Sequence, residues 1–382
     1  MSGRNLRLAS WFVAVVAFLA SVAGCSIWVL GVVQGFGTPN GAKISTVAGS
    51  GTVGSSGDNG PATSAKLHYP EGVAVDSSGN IYFADTDNQV IREVDTSGTI
   101  TRVAGIVGSS GYNADSIPAT TAKLNYPDGV TVDVSGNLYI ADSYNHCIRM
   151  VSGGTITTVA GTHGSPGYFG DGGSATSAQL YYPEGVAVDS SGNIYIADTD
   201  NQVIRKVDHT SHNISTVAGN GTAGYIGDGA AATSAELRYP NGVAVDASGN
   251  IYIADGGNIV VRKVDATSQT IMTVAGNGSS GDTGDGGPAS AAEINYPNGV
   301  AVDSAGNLYL STGNNVVRKV DASGNISTVA GNTYMGGGFA GDGNVSTAAM
   351  LYNPWGLAFD SHGNLYIGDN WNQRIRKVGF GG

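Results

Sequence analysis

The chain has 382 residues, of which 41% are hydrophobic and only 13% are charged, and its formal net charge is −12. The shortage of basic residues excludes the extended cationic face that nucleic acids require. The 60 glycines follow no Gly-X-Y period, which excludes collagen, and the apolar content excludes an acidic disordered chain. Short stretches rich in Val, Ile and Tyr between Gly, Asn and Asp residues predict an all-β protein.

The N-terminus is predicted to be an export segment. Arg4 and Arg7 precede a charge-free apolar stretch over residues 8–33, which is the pattern of a positive n-region and a hydrophobic h-region. Residues 22–25, Val-Ala-Gly-Cys, resemble a bacterial lipoprotein box, which implies a signal over residues 1–25, lipidation of Cys25 and a linker over residues 26–43. The stretch is also long enough to span a bilayer as an uncleaved anchor to about residue 33. Both alternatives, and simple secretion, place the rest of the chain in the cell envelope or outside the cell.

The remainder of the chain consists of six copies of one unit. Each copy carries the motif Pro-x-Gly-Val-Ala-Val-Asp or a close variant, and the motif recurs every 56 or 57 residues. The motif prolines are Pro70, Pro127, Pro183, Pro240, Pro297 and Pro354. Such regularity is typical of repeat architectures, in which each unit buries its apolar faces against its neighbours.

Each unit is predicted to form four short antiparallel strands, named a to d. In the third unit these are residues 185–189, 193–198, 203–207 and 214–219, and a Gly-rich loop then leads to the next unit. An additional strand d, residues 44–49, precedes the first strand a, whereas the last unit ends after strand c. The sequence therefore predicts a monomeric six-bladed β-propeller over residues 44–382, closed by its N-terminal outer strand.

The repeat resembles the NHL repeat, which builds β-propellers. The resemblance rests on Pro-x-Gly-Val-Ala-Val-Asp, Asn-Ile-Tyr-Ile-Ala-Asp and Asn-x-x-Ile-Arg-Lys-Val, and it extends from about residue 44 to residue 378. The loop Gly-Asp-Gly-Gly at residues 170–173, with Ala175 and Leu180, is similar to the long-loop variant of bacterial surface proteins and teneurins. The resemblance implies the propeller fold. It leaves the function open, because NHL propellers include binding modules, sensors and a few enzymes.

Residues repeated in almost every unit are interpreted as architectural. An Asp ends strand b and an Arg lies in strand c, as in Asp198 and Arg205, which predicts an ion pair within each blade. The fifth unit has Ser311 and Thr312 in place of Ala-Asp, so its Arg318 is expected to lack the partner of its sisters. The Gly-Asp-Gly-Gly loops are also compatible with calcium, which prefers carboxylate and carbonyl oxygens. No other cofactor and no metal site is predicted, because the histidines share no phase of the repeat.

Positions at which the units differ are the candidates for function. The residue after each motif proline is expected to line the mouth of the central channel on one face, named the top face here. These residues are Glu71, Asp128, Glu184, Asn241, Asn298 and Trp355. The loops between strands b and c on the same face add Asp87, Tyr144, Asp200 and Trp371. Tryptophans beside carboxylates suit a peptide, a sugar or a cationic group, although both tryptophans are equally compatible with filling space in the last blade.

The sequence therefore predicts an exported, membrane-tethered propeller that acts as a binding or scaffold module through its top face. The predicted ligand site comprises Trp355, Trp371, Glu71, Asp87, Asp128, Glu184 and Tyr144. The expected ligand is a protein, a peptide or a glycan and not a nucleic acid, and the membrane is contacted through the N-terminus. The alternative is a propeller enzyme of the lyase or lactonase type with its site in the central channel, for which the sequence assigns no catalytic residue.

Overall fold

The computed structural model describes residues 41–380, together with the backbone of residues 21–22 and 25–26. Those four residues form a minimal antiparallel strand pair, Ser21–Val22 with Cys25–Ser26. The rest of the predicted export segment and the linker up to residue 40 lie outside the described residues, as does the side chain of Cys25. Within residues 41–380, no helix is long and apolar enough to cross a membrane.

Residues 41–380 form six antiparallel sheets, which are the blades of a closed propeller. Each strand a contacts strand a of the next blade, and the sixth contacts the first. Strands a are Pro70–Val75, Pro127–Val132, Pro183–Val188, Pro240–Val245, Pro297–Val302 and Pro354–Phe359. Strands b are Ile81–Asp85, Leu138–Asp142, Ile194–Asp198, Ile251–Asp255, Leu308–Thr312 and Leu365–Asp369. Strands c are Val90–Val94, Cys147–Ser152, Val203–Val207, Val260–Val264, Val316–Val320 and Arg374–Gly379. Strands d of blades one to five are Thr99–Gly105, Thr155–Ala160, Ile214–Ala218, Ile271–Ala275 and Ile326–Ala330.

The N-terminal strand Lys43–Ala48 closes the ring, as predicted. It pairs antiparallel with Arg374–Gly379 and is therefore strand d of blade six, with Ile44 opposite Val378. The side chains of Ile44 and Val378 are fully buried, so closure is a packing contact as well as a row of hydrogen bonds. The closing strand begins one residue earlier than the sequence predicted.

Short 3-10 helices are the only helices in the described part of the chain. Those that follow strand b are Thr86–Asn88, Ser143–Asn145, Thr199–Asn201, Gly256–Asn258 and Asn370–Asn372. Those in the long loops are Ala62–Ser64, Ala119–Thr121, Ala175–Ser177, Ala232–Ser234, Ala289–Ala291, Thr333–Met335 and Ser346–Ala348. The first group forms the connections between strands b and c, which are called b–c turns below.

The core lies between neighbouring blades, because both faces of each sheet are apolar. One cluster joins Ile148 of blade two to Ile194 and Ile196 of blade three. Ala175 and Leu180 of the long loop are buried in the same cluster, which explains the repeated Ala-x-Leu segment before each motif proline. The loop is thus anchored at the blade seam, and its glycine-rich part remains on the surface.

Blades one and two differ from the predicted four-stranded blade by a fifth strand of two residues. Gly60–Pro61 and Ile117–Pro118 of the long loops pair with strand d of blades one and two, respectively. In the other blades this contact is a single bridge, such as Ala231 with Thr270. Proline is tolerated here because an outermost strand needs no ladder donor on its free side. The long loop therefore covers the outer edge of each sheet.

Candidate functional site

Each blade contains a buried arginine, and in five blades two carboxylates hold it in an arrangement named the arginine clamp here. In blade three, Arg205 Nη1 lies 3.3 Å from Asp198 Oδ2, and Arg205 Nη2 lies 2.6 Å from Asp171 Oδ1. The other four clamps are Arg92 with Asp85 and Asp58, Arg149 with Asp142 and Asp115, Arg262 with Asp255 and Asp228, and Arg376 with Asp369 and Asp342. The predicted pair within the blade is confirmed, but sequence reasoning missed the second carboxylate, which comes from the long loop.

The clamp also gives a structural role to Asp171 of the Gly-Asp-Gly-Gly loop, which the sequence suggested as a possible calcium ligand. Asp171 Oδ1 binds Arg205, and Asp171 Oδ2 accepts a hydrogen bond of 3.1 Å from the backbone N–H of Thr216. Both oxygens therefore have partners within the protein, and the calcium interpretation gains no support from this loop. Among the described residues, no group of three or more His, Cys, Asp or Glu side chains is arranged to hold a metal ion.

Blade five uses a modified clamp. Thr312 takes the place of the strand-b aspartate, and both Nε, at 3.1 Å, and Nη2 of Arg318 donate to Asp285 Oδ1. In the five other clamp arginines, Nε is buried without a partner. The expectation that Arg318 lacks the strand-b carboxylate is correct, but the residue is not unpaired, because it turns toward the loop carboxylate and makes two bonds to it.

The residues that follow the motif prolines surround the top end of the central channel. Glu184, Asn241, Asn298 and Trp355 line a cavity of about 70 Å³ there. Glu71 is hydrogen-bonded to Asp128, the residue at the same position in the next blade. Glu71, Asp128 and Glu184 are named the axial carboxylates here. They are half-buried, and none of the ion pairs among residues 41–380 includes them.

Burial raises the pKa of all three axial carboxylates, and the charge of Asp128 adds to this effect at Glu71 and Glu184. Burial and the negative charges of Asp128 and Glu184 raise the pKa of Glu71 well above its usual range, and burial also raises the pKa of Asp128. Burial, together with the charges of Asp128 and Asp200, raises the pKa of Glu184 to about 8. At neutral pH this group therefore retains protons that a bound positive charge would displace.

The b–c turns bring the other predicted residues to the rim of the same face. Asp87 Oδ2 lies 3.2 Å from His68 Nε2. The Tyr144 ring lies between Tyr126 and Tyr182, with centroid distances of 4.7 and 4.8 Å.

The two tryptophans of the last blade differ in exposure. Trp371 is 51% exposed, and its ring meets Tyr352 at 4.7 Å between centroids, whereas Trp355 is half-buried at the channel. Exposure of Trp371 does not match a residue that fills space, whereas Trp355 fits both alternatives.

Sequence reasoning missed a ring of tyrosines around the channel mouth. A tyrosine precedes the motif proline in five of the six units. These residues are Tyr69, Tyr126, Tyr182, Tyr239 and Tyr296. All but Tyr182 have more than a third of their surface exposed. The repeated Tyr-Pro dipeptide was the available signal. It was overlooked because residues repeated in almost every unit were interpreted as architectural.

Four of the five tyrosines of this ring are held in a strained backbone conformation by the neighbouring blade. Tyr126 has a φ of +48°, a left-handed value that bulky residues rarely adopt, and its N–H donates to Gln89 Oε1 at 2.6 Å. The other tyrosines with positive φ receive the same support from the b–c turn before them: Tyr69 from Gln373, Tyr182 from His146, and Tyr239 from Gln202. The turn before Tyr296 carries Ile259, which cannot accept, and the φ of Tyr296 is not positive. A side chain from one blade thus orients a top-face tyrosine of the next.

The chain matches known families over most of its length. A family model for the teneurin NHL domain matches residues 50–116, 163–224, 213–283 and 277–339, and a model for the NHL repeat matches residues 124–149 and 351–378. The chain belongs to the teneurin NHL domain family. The resemblance seen in the sequence is therefore confirmed.

Curated relatives share this NHL propeller as part of longer chains. Teneurin-1 of Mus musculus is 30% identical over 234 residues, and teneurin-4 of Mus musculus is 33% identical over 232 residues. Each match covers 54% of this chain but only 8% of the teneurin. The protein Suppressor of Quenching 1, chloroplastic, of Arabidopsis thaliana is 31% identical over 236 residues, which cover 58% of this chain and 22% of that protein.

Solved structures of lower identity show the same fold. An auxiliary nutrient binding protein from Bacteroides ovatus has a TM-score of 0.64 and 15% identity, covering 89% of this chain and 76% of that one. A gluconolactonase from Xanthomonas campestris has a TM-score of 0.56 and 14% identity, covering 88% of this chain and 89% of that one. At these identities the similarity concerns the fold alone.

The top face of this NHL propeller combines two chemistries. Its centre presents carboxylates that have no cationic partner within the described residues, and its rim presents exposed aromatic rings. Exposed aromatic residues beside a polar pocket are typical anchors of binding surfaces. The charge at the centre suits a positively charged ligand and disfavours phosphate.

Proposed function

We propose that this NHL propeller is a binding module whose ligand, a protein or peptide segment, docks on the top face across blades six, one, two and three. The observation that carries the proposal is the convergence of the axial carboxylates with a ring of exposed aromatic side chains on one face. Trp371 of blade six and Tyr144 of blade two provide apolar contact area at the mouth. Asp87 of blade one, which lies between these blades, and Asp200 of blade three add negative charge to the rim.

We further propose that the propeller acts outside the cytoplasm, tethered through its N-terminus. The proposal is supported by the charge-free stretch after Arg4 and Arg7 and by the lipoprotein-like box at Cys25. If Cys25 is lipidated, Cys25→Ala abolishes incorporation of a labelled fatty acid in producing cells. Equal labelling of this variant and the parent would contradict lipidation, and its absence in both would leave the uncleaved anchor as the tether.

The enzyme alternative rests on a single observation. A carboxyl group that retains its proton at neutral pH, such as Glu184, has the property that a general acid needs. The axial cavity of about 70 Å³ is, however, far below the roughly 300–1,000 Å³ of sites that enclose a small-molecule substrate. The geometry therefore favours capture of a side chain over enclosure of a sugar lactone.

The binding function is tested by screening the purified full chain against peptide and glycan arrays and then measuring the affinity of the selected ligand. Trp371→Ala is expected to weaken binding by about 2 kcal/mol, since exposed aromatic anchors typically contribute this much, and to leave the melting temperature unchanged. Met272, which is 50% exposed on strand d of blade four, provides the control, and Met272→Ala should bind normally. Normal binding by both Trp371→Ala and Asp87→Asn would contradict a top-face site.

A further inference from the structure

We propose that the axial cavity receives one cationic side chain, an arginine or lysine head group, from the bound protein segment. This inference rests on the proposed function, because it specifies the chemistry of a ligand on the same face. The axial carboxylates would bind the cationic head group, and the residues of the rim would contact the rest of the ligand.

Within the described residues, the axial carboxylates have no cation to compensate their charge. Elsewhere in the described chain, buried carboxylates face an arginine, as Asp198 faces Arg205 at 3.3 Å. Glu71, Asp128 and Glu184 instead face one another, and no ion pair of the described residues involves them. Half-buried carboxylates without a cation are unfavourable when ionised, and a cation from a partner would remove this penalty.

Two buried amide side chains at this site, those of Asn370 and Asn241, each have a polar atom without a hydrogen-bond partner. Asn370 is 1% exposed; its Nδ2 donates to Glu71 Oε1 at 3.0 Å, and its Oδ1 has no partner. Asn241 is 3% exposed and lines the axial cavity, and its Nδ2 has no partner. Buried polar atoms without partners are rare in proteins. The free oxygen beside Glu71 calls for an N–H donor, and the free amide of Asn241 calls for an acceptor such as a peptide carbonyl.

Asn370 differs from the residues at the equivalent position of blades one to three, and this difference supports a ligand site beside Glu71. Thr86, Ser143 and Thr199 occupy the same place in the b–c turns of blades one to three. Each of these three hydroxyl groups donates to the motif-proline carbonyl of the next blade, at 2.8, 2.6 and 2.8 Å. Asn370 directs its amide to Glu71 instead. The asymmetry therefore lies where blade six meets the axial carboxylates.

The size and depth of the cavity match a head group. A volume of about 70 Å³ holds several water molecules, since one water needs about 10–15 Å³ on this measure. Below it, Val73, Val130 and Val186 line both this cavity and the lower part of the channel. A charged group entering from the top meets Glu184 in the cavity wall and then this valine layer, whose apolar side chains cannot compensate a charge.

The inference predicts proton release on binding. The groups that face Glu184 are Glu71, Asp128, Asp200, Tyr144 and Tyr296, and those that face Asp128 also include Asp87. The carboxylates among them keep the pKa of Glu184 high, and an inserted cation lowers it again. The exposed Arg238 lies near Tyr296 on the same face, in blade four. Affinity for a cationic side chain should therefore rise with pH between about 5.5 and 8.5.

The test uses three peptides with acetylated N-termini and amidated C-termini, Gly-Gly-Arg-Gly-Gly, Gly-Gly-Lys-Gly-Gly and the neutral Gly-Gly-citrulline-Gly-Gly, titrated calorimetrically into the full chain in detergent. At least one cationic peptide is expected to bind ten times more tightly than the citrulline peptide. Repeating the titration in buffers of different ionisation enthalpy should reveal proton release, and affinity should be at least fivefold higher at pH 8.5 than at pH 5.5. Equal binding of all three peptides, or of none, would overturn the inference.

Two variants separate this inference from the proposed function. Glu184→Gln, which preserves shape, should weaken the cationic peptide at least tenfold and flatten the pH dependence, whereas the exposed loop variant Asp282→Asn should do neither. If Trp371→Ala weakens the array-selected ligand and Glu184→Gln does not, the top-face function stands and the axial inference is wrong. Calcium or magnesium chloride at 1 mM is included, and displacement of the peptide by these ions would show a metal site instead.

Discussion

Two sets of carboxylates in this propeller have opposite surroundings. In the arginine clamps, Asp198 accepts from Asn201 and the Tyr181 N–H and faces Arg205, and each of these lowers its pKa. Burial nevertheless raises the pKa of Asp198 to about 7. At the axis, the charges around Glu184 act in the same direction as burial. Within the described residues, the clamp carboxylates each face a cation, and the axial carboxylates do not.

This difference distinguishes structure from function inside a repeat protein. The clamp occurs in nearly every blade because each blade has the same buried arginine to neutralise. The axial positions meet at one point on the symmetry axis, where repeating one carboxylate in every blade would accumulate negative charge. Asn241, Asn298 and Trp355 complete the ring instead. Where equivalent positions share one place in space, variation among copies carries the information about a ligand.

Among the substitutions considered, Arg205→Met in the arginine clamp is expected to destabilise the protein most. This change leaves Asp198 buried without its cation, and loss of one partner of a buried pair costs about 3–5 kcal/mol. Urea denaturation should show this loss in the free energy of unfolding. Lys206→Met, on the neighbouring and partly exposed side chain, is the control and should change it by less than about 1 kcal/mol. If Arg205→Met lowers the free energy of unfolding by less than about 1 kcal/mol, the clamp contributes little to stability.

Glu184→Gln, which alters an axial carboxylate, is expected to stabilise the protein, whereas Arg205→Met destabilises it. The pKa of Glu184 is about 8 in the folded chain, whereas an unperturbed Glu has a pKa of about 4.3. The folded state thus binds more protons than the unfolded state between these values, and parent stability falls as pH rises through this range. Glu184→Gln removes this effect. It should match the parent at pH 4 and exceed it by about 1–3 kcal/mol at pH 8.5. At about 1.4 kcal/mol per pKa unit the full difference would give about 5 kcal/mol, and solvent screening of the partly exposed carboxylate reduces this value.

Thermal or urea unfolding of parent and variant at the two pH values measures this difference. Asp282→Asn removes an equal charge in an exposed loop and should show no comparable pH-dependent gain. If Glu184→Gln is less stable than the parent at pH 8.5, the ionised carboxylate has a favourable partner in the folded state.

The fold was predictable from the sequence because the repeat period, the strand patterns and the additional N-terminal strand can all be recognised in it. Alternation within each strand and the spare strand at residues 44–49 are local or countable features. The second clamp carboxylate also recurs in every unit, 33 or 34 positions before the clamp arginine, as Asp171 precedes Arg205. Sequence reasoning missed it because a separation of this length does not show which loop residue folds back onto the strand. The channel-mouth positions were predictable from topology, but the support of Tyr126 by Gln89 depends on how adjacent blades are rotated.

The smallest effect is expected where blade five lacks the strand-b aspartate. Thr312→Asp restores the residue found in the sister blades, but the surrounding bonds have been rearranged. Arg318 already makes two bonds to Asp285, and Asn314 Nδ2 donates to the backbone carbonyl of Gly281.

The substitution should therefore change the free energy of unfolding by less than about 1 kcal/mol. In the parent, amides of residues 310–317 should exchange faster than those of residues 196–204 in blade three, and Thr312→Asp should reduce this difference by less than about tenfold, since tenfold equals about 1.4 kcal/mol. Hydrogen exchange followed by mass spectrometry measures both segments in one sample. A gain of about 3 kcal/mol would mean that the strand-b carboxylate carries the clamp alone, and equal exchange in the parent would mean that the loop carboxylate fully replaces it.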